Sequence, residues 1–147
     1  MDNITAGVVA RHSRGLDGDT ALVFVLDADP LSDVCDIALV HYEPKLATEH
    51  DIVVYSDETS LGYDFVIQTD VRASTYTQEI TSVLAVTPPE VLALAHDPEL
   101  LASSERRGLR LKGRLDSRWD FKVSEVRRLH RLTHLYLAHL YINDKED

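Results

Sequence analysis

At 147 residues and 16.5 kDa the chain has the length of one domain with a single core, and its 44 % hydrophobic and 27 % charged residues exclude a disordered chain. Its single cysteine, Cys35, excludes an intrachain disulfide and a thiolate-clustered zinc or iron-sulfur site. No uncharged apolar run approaches the ~20 residues of a membrane helix, and the opening MDNITAGVVARHSRG lacks a secretory pattern, so the net charge of −10 is expected on a cytoplasmic protein away from membranes.

The first ninety residues read as short strands, each rich in β-branched and aromatic residues and bounded by turn signals. ITAGVVA (4–10) precedes a loop holding Gly15 and the Asp17-Gly18 turn signal. TALVFVL (20–26) is almost continuously apolar and predicts a strand buried on both faces. DADPLSD (27–33) predicts a loop, because Pro30 lacks a ladder donor and its aspartates favour turns. CDIALVHY (35–42), DIVVY (51–55), YDFVIQ (63–68) and TSVLAV (81–86) complete about six strands. None is followed by a helix of crossover length, which points to a curled antiparallel sheet.

After Val86 the apolar period changes to about three and a half. Thr87 as N-cap, Pro88 at the first helical position and Glu90 three residues past the cap predict a helix over 88–95 facing inward with Val91, Leu92 and Leu94 or Ala95. Asp97-Pro98 starts a second, short helix that stops near Gly108. The third runs over 123–142, capped by Ser124 or Asp120, with Val123, Val126 and Leu129 on one face. Of the 11 residues from Leu132 to Ile142, 8 are apolar. A helix greasy on nearly all sides needs enclosure, so Leu132, Leu135, Tyr136 and Leu140 are expected at an interface with a second copy or another partner.

Charge divides the chain in two. Residues 1–105 hold 4 Lys and Arg against 19 Asp and Glu, whereas 106–131 hold 10 against 3. The basic stretch ERRGLRLKGRLDSRWDFK carries Arg106, Arg107, Arg110, Lys112, Arg114, Arg118 and Lys122. It reads either as an RNA- or DNA-binding patch on which Trp119 or Phe121 stacks bases, or as an arm folding back on the acidic body of its own or a sister chain.

Other constellations are weaker. His130 and His134 stand four apart, a metal-ligand spacing, but the glutamate of a zincin is missing and His139 falls about 140° round the helix from His134. Asp27, Asp29 and Asp33 faintly follow a calcium loop that lacks its glycine and bidentate glutamate. Asp57, Glu58, Asp64 and Asp70 read as solvated acids rather than a catalytic pair, and Cys35 as a small core residue. No phosphate-cradling glycine loop, Ser-His-Asp motif or dinucleotide fingerprint is present, and neither metal nor cofactor is expected.

The strand Ala21–Leu26 leading into an acidic loop, the strand Ile37–Val40, the stretch DFVIQTDVR (64–72) and the stretch SVLAVTPPEVLAL (82–94) together resemble the PemK/MazF family of bacterial toxins. The likeness covers about residues 4–95. It implies an α+β fold, a small SH3-like, half-open antiparallel β-barrel with a short helix over 1–95, a basic helical C-terminal extension over 96–147, and a homodimer.

It also implies a ribonuclease site, and here the chain departs from the family pattern. The family places an Arg-Pro dipeptide before the strand matching ALVFVL, and a Ser or Thr at the end of the next strand. This chain has Asp19 and Thr20 at the first place and His41-Tyr42 at the second. An aspartate repels the phosphate that an arginine would hold. Arg11 or Arg14 would have to substitute, with His41 as general base. The expectation is therefore a non-catalytic protein of toxin-like fold that binds another macromolecule. The alternatives are a metal-independent endoribonuclease of a toxin-antitoxin system acting through Arg14 and His41, and a nucleic-acid-binding regulator acting through Arg106 to Arg118.

Overall fold

The computed structural model describes residues 4–13 and 21–133. Six strands, β1 (Val8–His12), β2 (Ala21–Ala28), β3 (Val34–His41), β4 (Asp51–Val54), β5 (Phe65–Tyr76) and β6 (Ile80–Val86), are followed by helices α1 (Pro89–His96), α2 (Pro98–Ala102) and α3 (Ser117–Leu132). The fold is α+β, with a single sheet in the order β4-β5-β3-β2-β1-β6 and every neighbouring pair antiparallel. The ladder stays open, ending at β4 and β6, so the expected closure into a barrel is not seen among the described residues.

The sheet is buried on both faces, as the unbroken apolar run of β2 requires. Val9, Leu22, Phe24, Leu26, Val40, Ile52, Phe65 and Ile67 face α1 and α2, which contribute Val91, Leu94, Ala95 and Leu101. The alternate residues Ala10, Val23, Ile37, Leu39, Val71 and Ala73 face α3 through Leu129 and Leu132. The result is three layers, with short helices on one face and one long helix on the other.

Three boundaries differ from expectation for local reasons. β5 continues eight residues past Gln68 because Val71, Ala73 and Thr75 keep the period-two burial while polar residues take the other face. Its register against β3 jumps between Ala38↔Arg72 and Leu39↔Gln68, so Thr69, Asp70 and Val71 form a bulge. α2 ends at Ala102 rather than near Gly108, and the chain then runs along the β4 edge. Val53 N–H donates to Arg106 O at 2.8 Å, and Gly108 N–H donates to Thr48 O at 3.0 Å. A side chain at Gly108 would put Cβ 2.3 Å from the carbonyl carbon of Ala47, so only glycine lets this strap lie so close. α3 starts six residues early, because Asp116 accepts from Arg118 N–H and is the N-cap. It closes at Thr133 (φ −126°, ψ 32°), and the rest of the expected 123–142 helix lies outside the described residues.

The short helices otherwise follow their signals. Asp97 caps α2 by accepting from the N–H groups of Glu99 and Leu100. Thr87 does not cap α1; its hydroxyl donates to Gly7 O at 2.7 Å, and Pro88 takes the cap position.

Candidate functional site

α3 is the element on which the chain's unusual chemistry collects. Its sheet-facing stripe is Arg118, Lys122, Glu125, Leu129 and Leu132 rather than the expected Val123, Val126 and Leu129. Only Leu129 keeps its expected inward place; Val123 and Val126 turn outward at 37 % and 39 % exposure. The seam is therefore apolar at its C-terminal end and ionic at its N-terminal end.

The sheet dictates this. β4 begins with Asp51, fully buried, and the β5 bulge presents Asp70, so Lys122 reaches both, with Nζ donating to Asp51 Oδ1 at 2.5 Å and Asp70 Oδ1 at 2.7 Å. Thr48 N–H donates to Asp51 Oδ2 at 2.8 Å. Burial pushes the Asp51 carboxyl up to about 6, while Lys122 and the Thr48 N–H pull it back down. One turn further along α3, Glu125 accepts from Gln68 Nε2 at 2.9 Å and from Arg128 at 3.3 Å.

His41 lies on the same sheet face. Its Nδ1 accepts from Glu43 N–H at 3.1 Å, which places the proton of the neutral ring on Nε2. Phe121 covers the ring edge-on, with centroids 4.8 Å apart. Burial, then the charges of Lys122 and Arg128, hold the imidazole down at about 4. His41 Nε2 and Gln68 Oε1 are buried without a hydrogen-bond partner among the described residues. Because Leu39 pairs with Gln68 and His41 with Val66, the two groups are diagonal neighbours on one face, a donor and an acceptor both turned to the seam.

The basic segment divides into residues used internally and residues left outside. Arg106 grips Glu58 with two nitrogens at 2.5 and 2.7 Å and Glu90 at 2.8 Å, which holds the Glu58 carboxyl below its ordinary range. Arg118, at 9 % exposure, donates to the carbonyls of Ala47, Leu109 and Arg110 at 2.7 to 2.9 Å and to both oxygens of Asp116. That contact holds Asp116 well below the usual carboxylate range. Arg106, Arg118 and Lys122 thus fold back on the chain's own acids and carbonyls. Arg107, Arg110, Lys112 and Arg114 remain exposed.

On the outer side of α3 runs a groove of about 960 Å³ with Trp119, Val123 and Val126 as its apolar floor. Arg110, Arg127 and His130 line one part of it, and Glu49, His50 and Asp70 another. Trp119 stands on a helix here rather than in a loop, and is 40 % exposed. Of the expected interface residues, Leu132 is buried against the sheet, while Leu135, Tyr136 and Leu140 lie outside the described residues, as do Arg14, Asp19, Thr20 and His134.

Sequence reasoning missed the ion pairs of Lys122 and Glu125 altogether. Their only signal was polar residues at helical spacing, 118, 122 and 125, opposite acids and an amide in strands that are otherwise apolar. Among the described residues no helix is long and apolar enough to cross a membrane, and no group of three or more His, Cys, Asp or Glu is placed to hold a metal ion. The chain matches no protein-family model and no curated protein.

Proposed function

We propose that this chain is a non-catalytic binding protein of PemK/MazF-like descent that takes a protein partner on the outer face of α3. The observation that carries the proposal is the apolar stripe Trp119, Val123 and Val126, left in solvent on a helix whose other face is fully engaged with the sheet. Exposed Arg107, Arg110, Lys112, Arg114 and Arg127 border it, so the partner is an amphipathic segment with anionic residues beside an apolar face.

A protein is favoured over nucleic acid because Glu49 and Asp70 sit in the same groove and three cations of the basic stretch are spent internally. Ribonuclease chemistry finds less support, since His41 is 5 % exposed and shut beneath Phe121.

Trp119 is the single tryptophan of the chain and reports on this face directly. The test is to identify a protein that copurifies with the full chain, purify both, and titrate one with the other while following Trp119 emission. A blue shift is expected, with affinity weakened about 30-fold or more in a Val123→Asp/Val126→Asp variant that remains folded. Retention of RNA at low salt that disappears in Arg110→Ala, or cutting of RNA at defined sites, would overturn the proposal.

A further inference from the structure

The groove on α3 opens beside His130, three residues before the helix closes at Thr133, so the chain that follows is delivered to its mouth. We propose that residues 134–147 of the same molecule fold back into this groove and close it until a partner displaces them. The inference rests on the reading of the α3 outer face as a docking surface and adds how access to that surface is controlled.

Length is the first argument. From His130 back to Trp119 is 11 residues of helix, about 16 Å at 1.5 Å per residue. Residues 137–147 are also 11, and residues 134–136 are left for a turn, within the span of two to five residues or so that joins antiparallel helices. A segment of this size covers the apolar floor from end to end.

Order is the second. At helical spacing the segment presents Leu137, Leu140 and Tyr141 and then Asp144 and Asp147, with Glu146 beside them, so one stripe begins apolar and ends acidic. Travelling the opposite way along α3, the groove offers Val126, Val123 and Trp119 first and then the exposed cations Arg110, Lys112 and Arg114 ahead of the helix N-terminus. Run antiparallel, the two match apolar to apolar and acid to base, and the acids also meet the positive end of the α3 dipole.

Tethering decides between this segment and the same segment of a second copy. Attached at Thr133, it faces the groove at an effective concentration in the millimolar range, which an untethered copy does not reach in dilute solution.

The experiment uses the full chain without any partner and reads acrylamide quenching of Trp119. Wild type is expected to shield Trp119 equally at all dilutions, with a monomer mass by light scattering. Asp144→Lys/Glu146→Lys/Asp147→Lys moves the equilibrium roughly tenfold toward the open form and raises quenching, at unchanged far-UV circular dichroism. Adding Arg110→Glu/Lys112→Glu/Arg114→Glu to that variant restores shielding by exchanging the charges.

Equal quenching in wild type and the tail variant overturns the proposal, as does failure of the exchange to restore shielding. Shielding lost on dilution together with a doubled mass assigns the groove to a second copy and overturns it too. Should any of these occur while Val123→Asp/Val126→Asp still abolishes complex formation with the purified partner, only the fold-back falls and the docking surface stands.

Discussion

Lys122 decides whether Asp51 can be ionised inside the protein. Its ammonium group is at hydrogen-bond distance from two carboxylates, one of them fully buried, so Lys122→Met strands a charge with only the Thr48 N–H for support. Urea unfolding at neutral pH is expected to show a loss of about 3–5 kcal/mol, the usual consequence of removing one partner of a buried pair. The double variant Asp51→Asn/Lys122→Met, which removes both charges and keeps an acceptor for Thr48, should recover much of that loss. His41 sets a second, pH-dependent balance. Its folded pKa of about 4 lies below the free value of 6.5, so the unfolded chain binds the proton first. The stability His41 contributes is complete above pH 6.5 and is lost as pH falls toward 4. Asp51 acts in the opposite sense: its folded pKa of about 6 exceeds the free 3.8, so the folded state gains as pH falls through that window. In His41→Asn the acid-labile part disappears, and the variant should lose about 2 kcal/mol less than wild type between pH 7 and pH 4.5 in urea titrations.

At the scale of elements, the strap after α2 protects an edge that would otherwise offer unpaired amides to any neighbouring strand. Gly108 makes it possible, and Gly108→Ala is expected to lift the strap from Ala47. Hydrogen exchange at the Val53 amide, bonded to Arg106 O, should then quicken by about tenfold or more while the β3 core stays protected. The elements were unevenly legible in the sequence. β2, β3, β4, β6 and α1 fall within two residues of their expected ends, because unbroken apolar runs and Pro-containing starts speak locally. β5 past Gln68 was not legible, since a bulge flanked by Ser, Thr and Arg carries almost no apolar signal. The early start of α3 was masked by Arg118 and Lys122, whose inward turn answers to Asp51 and Asp70, more than 45 residues away in the chain. A helix face chosen by distant charges is invisible to a count of its own apolar residues.

For the molecule as a whole, the split between an acidic body and a basic extension is a difference in composition and not in packing. Arg106, Arg118, Lys122 and Leu129 each tie the later part to the sheet. Trp119 fluorescence and far-UV circular dichroism should therefore report one coincident urea transition; an earlier Trp119 transition would mean that the extension is a separate module. The α+β class and antiparallel order were readable from strand spacing, and the open sheet was not, since closure depends on how β4 and β6 lie in space. The candidate site was half legible: the basic segment announced itself, but which of its cations face inward depends on contacts across the fold.

The pairing of Asp51 with Lys122 also bears on how the protein is made. During synthesis Asp51 emerges 71 residues ahead of its countercharge. Until the ribosome has passed Lys122, the half of the sheet that holds this acid has reason to stay hydrated, while the apolar β1–β3 meander is free to collapse early. Sealing of the sheet is thereby deferred to the last helix, so a nascent chain arrested before it would present chaperones with a half-finished face rather than a misfolded one.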